Sequence, residues 1–239
     1  MKLRLLAPLA IILLSFSANA KVFRNAYISF ELPETWKCNL EQTEWVCRSE
    51  QNKESKEAII ILTAKEVGPT DTYPLYQAHL DSPISIVTKG GGSLTSKVVY
   101  KSKKETINDQ VWIDALHMNS EIPNYFTRYV AAIKDKIAIL VTFSAHKQYY
   151  TKYSSDFFKA VMSLRVIASK NLLAKPELGP LRPGSGTFGE GIQGAMPEDM
   201  YQDGPKTGKS NKGMLLFGAL LLAALGAFIF LRAKKNKRK

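Results

Sequence analysis

Two cysteines, three histidines and one triple-glycine run are the residues of this 239-residue chain on which chemistry could rest. Cys38 and Cys47 lie in two short segments, 36–40 and 45–48, that read as strands around a polar Glu41-Gln42-Thr43-Glu44 turn. Folded as a symmetric hairpin, these segments set the two cysteines opposite each other, where their Cβ atoms reach the separation a disulfide needs. The spacing is not the C-x-x-C of a redox pair, so a structural bridge in an oxidising compartment is expected.

His79, His117 and His146 stand far apart in sequence, no two at metal-ligand spacing, and no cysteine is spare, so neither a metal nor a cofactor is expected. No G-x-S-x-G elbow, H-E-x-x-H helix or S-x-x-K motif in a fitting context accompanies them. An exported hydrolase with a site near His117 or His146 is therefore the alternative reading. Tyr149 and Tyr150 beside His146 form a candidate recognition surface. Gly90-Gly91-Gly92-Ser93 reads as a mobile loop. The run from Gly204 to Ser210 imitates a phosphate loop but is one residue too short and lacks a strand before it.

Strand signals dominate the elements that must position these residues. Residues 26–32 alternate and end at Pro33, and 58–64 form a β-branched run suited to a strand buried on both faces. Further strands are predicted over 111–118, 125–133 and 137–145, the last two joined by a Lys134-Asp135-Lys136 hairpin turn. Over 149–164, Tyr153, Phe157, Val161 and Leu164 fall on one helical face. A shorter helix is predicted to start near Thr72, with Pro74 in its first turn, and to yield before Pro83. Strands in excess and hairpin-length connections predict an α+β domain, a largely antiparallel sheet flanked by helices in an α/β/α sandwich.

The ends carry topology signals. Lys2 and Arg4 precede an apolar run, and Ala18-Asn19-Ala20 offers small residues for signal cleavage, so residues 1–20 read as a signal peptide. Residues 21–168 form the exported domain, and 169–212, with eight glycines and five prolines, read as a flexible linker. Residues 213–231 are uncharged and long enough for a transmembrane helix, and six basic residues fill a cytoplasmic tail over 232–239. In that helix Ala219, Ala223 and Ala227, with Gly226 alongside, make a small-residue stripe fit for packing, a weak homodimer or docking into a membrane complex.

The net charge of +12 excludes less than it suggests until it is partitioned. Signal and tail supply eight of these charges, whereas 21–168 hold 19 basic against 16 acidic residues. So nearly balanced a domain gives no nucleic-acid footprint.

Three stretches resemble the PsbP-like superfamily: Ile28-Ser-Phe30-Glu-Leu-Pro33-Glu-Thr-Trp36, Ile107-Asn-Asp-Gln-Val-Trp112, and the closing hairpin and helix that end at Met162-Ser163-Leu164. The resemblance, over residues 22–168, implies an antiparallel sheet sandwiched by helices and members that work by binding partners. The signal peptide, cysteine hairpin and C-terminal anchor set this chain apart, and no functional residue carries over. The expectation is thus a single-pass protein of the bacterial inner membrane whose periplasmic domain binds an unidentified periplasmic or membrane protein. The other readings are the hydrolase and an accessory subunit of a membrane complex.

Overall fold

A computed structural model describes residues 21–87, 92–168, 188–189 and 192–201. Seven strands form the main sheet in the order β3-β4-β5-β11-β10-β9-β8. They are β3 (Trp36–Glu41), β4 (Glu44–Ser49), β5 (Ala58–Glu66), β8 (Lys97–Ile107), β9 (Gln110–Met118), β10 (Tyr125–Lys134) and β11 (Ile137–His146), and every pairing is antiparallel. Two smaller sheets accompany it: β1 (Lys21–Arg24), β2 (Ile28–Leu32) and β12 (Arg165–Val166) in one, β6 (Ser85–Val87) and β7 (Ser93–Thr95) in the other. The helices are α1 (Tyr73–Leu80), α2 (Tyr150–Met162) and the single turn α3 (Ile192–Ala195), which is followed by a 3-10 turn, Glu198–Met200.

Local chemistry explains the turns. Asn108 and Asp109 both adopt positive φ, 47° and 61°, the pair a two-residue hairpin with the right twist demands, and they join β8 to β9. Asp135, at φ 53°, does the same work between β10 and β11. Thr72 caps α1, its hydroxyl accepting from the Leu75 N–H, and Pro74 sits in the first turn where no N–H is missed.

Period-two alternation divides the main sheet into two faces. On one, Ile60, Leu62, Val130, Val141 and Phe143 meet Tyr153, Phe157, Ala160 and Val161 of α2. On the other, Ile59, Ile61, Ile113, Ala115 and Leu140 meet Tyr76 and Leu80 of α1 together with Ile192, Ala195, Met196 and Met200. Those last four come from the Gly/Pro-rich stretch, and all are buried. The expected α+β class, with a mostly antiparallel sheet and helices on its faces, describes the domain. The triple-glycine run falls in part outside the described residues. The predicted transmembrane helix over 213–231, with Ala219, Ala223, Gly226 and Ala227, lies wholly outside them, and among the described residues no helix is long and apolar enough to cross a membrane.

Candidate functional site

Cys38 and Cys47 are register partners across the β3–β4 hairpin and are joined by a disulfide. No free cysteine is present. The bridge faces the α2 side of the sheet and fastens its outermost strand.

His117 lies on β9 facing α1 and is 0% exposed. Its Nε2 is 2.8 Å from the Leu80 carbonyl oxygen, which can only accept, so that nitrogen carries the proton. Nδ1, 2.9 Å from Ser96 Oγ, therefore accepts from the serine hydroxyl. The same Oγ accepts from the Ile84 N–H at 2.8 Å. Every polar atom of this Ser–His pair thus serves to fasten the end of α1 and the segments flanking β6 and β7 to the sheet. A nucleophile needs its oxygen aimed at space a substrate can enter, and Ser96 is buried. Burial also holds the His117 imidazole below its ordinary pKa of 6.5.

Close by, the Tyr129 hydroxyl donates to the carboxylate of buried Glu121. Desolvation raises the Glu121 carboxyl from 4.5 to about 7, with the tyrosine bond acting in the opposite direction. The Tyr129 hydroxyl is itself pushed well above 10, by burial first and then by Glu121. A third polar group on this face is the ion pair Lys65–Asp71 at 2.9 Å, and Asp71 also accepts from Tyr76 at 2.6 Å and from the Gly68 N–H at 2.7 Å. Sequence reasoning passed over Glu121 and Asp71, because no motif surrounds them.

His146, Tyr149 and Tyr150 are brought together at the end of β11 and start of α2. His146 is buried, its ring 5.3 Å from Tyr125 and 6.0 Å from Tyr149, while the two tyrosines are half-buried. Tyr150 stacks obliquely on Phe126 at 4.9 Å. Burial lowers the His146 pKa, and Lys147 adds to the effect. On the α2 side, Arg128 grips Asp114 with two hydrogen bonds of 2.9 and 2.6 Å, and Tyr100 donates to the same carboxylate at 2.9 Å. Among the described residues, no three His, Cys, Asp or Glu side chains are grouped to hold a metal ion.

Residues 205–238 match the LPXTG cell wall anchor motif. The matched stretch opens on Pro205-Lys206-Thr207-Gly208, with Gly204 where that motif has leucine. This match overturns the expected location. An apolar run followed by basic residues satisfies both a membrane span and an anchor motif, and length and hydropathy alone do not separate them. The Pro-x-Thr-Gly letters ahead of the run point instead to a sortase-anchored cell wall protein, not to an inner-membrane protein with a periplasmic domain and a cytoplasmic tail.

A comparison with curated proteins returns no match. Among solved structures, the chain is similar to cyanobacterial PsbP from Synechocystis, at 13% identity and a TM-score of 0.44, over 58% of this chain and 86% of that one. It is similar to the Ran-binding protein Mog1p of Saccharomyces cerevisiae at 10% identity and a TM-score of 0.41, over 62% and 97% of the two chains. LpqN of Mycobacterium tuberculosis, described as involved in cell envelope biogenesis, aligns at 10% identity and a TM-score of 0.32, over 63% and 87%. The resemblance to the PsbP-like fold is loose and covers about 60% of the chain.

Proposed function

We propose that this chain is a surface-anchored, non-catalytic module whose α+β domain is displayed outside the cell to bind a protein partner. One observation carries the reading: the cell wall anchor motif begins at residue 205, four positions after the last described residue of the folded part, Tyr201. The sequestered Ser96–His117 pair supports the non-catalytic half of the reading, since its hydrogen bonds are spent inside the fold.

Fractionation of cells carrying the full chain tests the anchoring. Muralytic digestion of the wall releases the wild-type protein as a ladder of wall-linked species. The Pro205→Ala, Thr207→Ala double variant leaves with detergent or into the medium. Quantitative extraction of the wild type by detergent from intact walls refutes the anchor. Crosslinking on whole cells tests the binding half: a reproducible protein adduct is expected, and its absence across repeated trials refutes it. An esterase, peptidase and glycosidase screen that found turnover abolished by His117→Ala, with the fold intact, would favour the hydrolase instead.

A further inference from the structure

Of the eight exposed large apolar side chains among the described residues, three gather at one place. Val22 on β1 is 61% exposed, and Phe158 and Met162 on α2 are 58% and 51% exposed. All three line one open groove of about 450 Å³ between the outward face of the β1-β2-β12 sheet and the last turns of α2. Contiguous exposure of this kind marks an interaction surface more often than it reflects chance. The size falls within the range of ordinary ligand pockets.

Two walls of the groove are tied together. The Ser163 hydroxyl accepts from the Glu31 N–H at 2.7 Å and donates to the Ala160 carbonyl at 2.9 Å, so β2 and the end of α2 hold a fixed separation. Asn108, from the β8–β9 turn, donates to the carbonyls of Met162 and Leu164 at 3.0 and 2.9 Å. These bonds occupy the carbonyl of the helix's last residue and one just beyond it, and so brace the end of α2. A groove preformed in this way loses little entropy on filling.

Charge and area narrow the occupant. Lys159 and Arg165 line the groove against a single carboxylate, that of Glu31. The apolar surface comes from three side chains, far short of the roughly 800 Å² per partner of a stable dimer, so a second copy of the chain is a poor fit. We propose that this groove is the docking site of the module and that it takes a short linear segment of a partner protein, two or three apolar side chains followed by an acidic residue. Phe158, Met162 and Val22 receive the apolar groups, and Lys159 and Arg165 receive the carboxylate. The proposal rests on the binding-module reading and names its surface.

The test is selection of a phage-displayed library of random dodecapeptides on the purified full-length chain, followed by titration of the leading synthetic peptide. Peptides combining apolar residues with Asp or Glu are expected. Their affinity should fall by about tenfold or more in Phe158→Asp, Met162→Asp, and in Lys159→Glu, Arg165→Glu. All four positions face solvent, so the variants should melt like the wild type, and a Val22→Asp variant gives an independent probe of the opposite wall. Enriched peptides that bind all variants equally overturn the groove while leaving a binding module elsewhere on the domain. Failure to enrich any peptide overturns the groove as well. Binding to anionic phosphatidylglycerol vesicles, or dimerisation in light scattering, abolished by the Phe158 and Met162 changes would overturn it in favour of a lipid surface or a second copy.

Discussion

The two faces of the seven-stranded sheet are covered by different chemistry. Beneath α2 the contact is aromatic and aliphatic: Trp36 meets Tyr153 at 5.8 Å and Phe157 at 6.4 Å, and Phe157 meets Phe143 at 5.6 Å. Charges on that side occur as opposite-sign partners, Asp114 with Arg128 and Glu57 with Lys152. Beneath α1 and the 192–201 segment, buried ionisable groups stand in the layer itself: His117, Glu121 and the Lys65–Asp71 pair. Glu121 is held there by a hydroxyl, and among the described residues no cation pairs with it. On the α2 face the contact is chiefly apolar and its named charges are matched, whereas on the other a carboxyl and an imidazole stand buried in the layer, so the steeper dependence on acidity is expected from the second face.

The largest effect should come from the apolar face. Phe157→Ala removes a ring from the centre of the α2 contact and is expected to cost about 3–5 kcal/mol in urea unfolding, equally at pH 5 and pH 8. A strongly pH-dependent loss would break the contrast.

Glu121→Gln sharpens the other side. The carboxyl is raised from 4.5 to about 7, so it supports the fold fully when protonated below about 4.5, and that support is lost as pH climbs through about 7. The variant should gain up to about 3 kcal/mol over wild type at pH 8 and nothing at pH 4. The histidines act with the reverse sign. Burial lowers His79, His117 and His146 below 6.5, so their support is complete above that value and is lost as pH falls. Between pH 5 and 7 the two trends oppose each other in the wild type, and Glu121→Gln should uncover the histidine slope. An identical offset at both pH values would defeat this account.

Removing the disulfide with Cys38→Ala, Cys47→Ala is expected to cost about 2.5–3 kcal/mol, the entropy of a ten-residue closed loop in the unfolded chain. Because the bridge spans only the outer hairpin, this loss should be independent of pH. The smallest effect belongs to the exposed Lys103–Glu105 pair, where Lys103→Ala should change stability by less than about 0.5 kcal/mol and less still at high salt.

What could be read in the sequence follows the same division. Strands with both faces covered announced themselves: the Ile59-Ile60-Ile61 run and the 125–145 hairpin appear as β5, β10 and β11 within one or two residues of their expected ends. Thr72 and the period of Tyr153, Phe157 and Val161 placed both main helices. The edge strand β8 escaped, because Lys97, Lys101, Lys103 and Lys104 mask the half-buried Val98, Tyr100 and Ser102 between them. Phe188, Ile192, Met196 and Met200 recur every fourth residue, a helical spacing hidden by the glycines and prolines around it. Glu121 was beyond reach for another reason: a carboxyl acquires its unusual acidity from what folds over it, which no spacing encodes.

The two rims of the long sheet are treated differently: one edge strand is fastened to its inner neighbour, and the other is spoiled as a template. At one rim the β3–β4 bridge fixes the last strand covalently to its neighbour. At the other, four lysines and two irregularities of register, one of them secured by Asp81 on the Ser102 N–H at 2.7 Å, spoil β8 as a template for further pairing. Neighbouring molecules held close together can zip into ribbons along open backbone edges, and the lysines and broken register of β8 withhold that template on its side of the sheet.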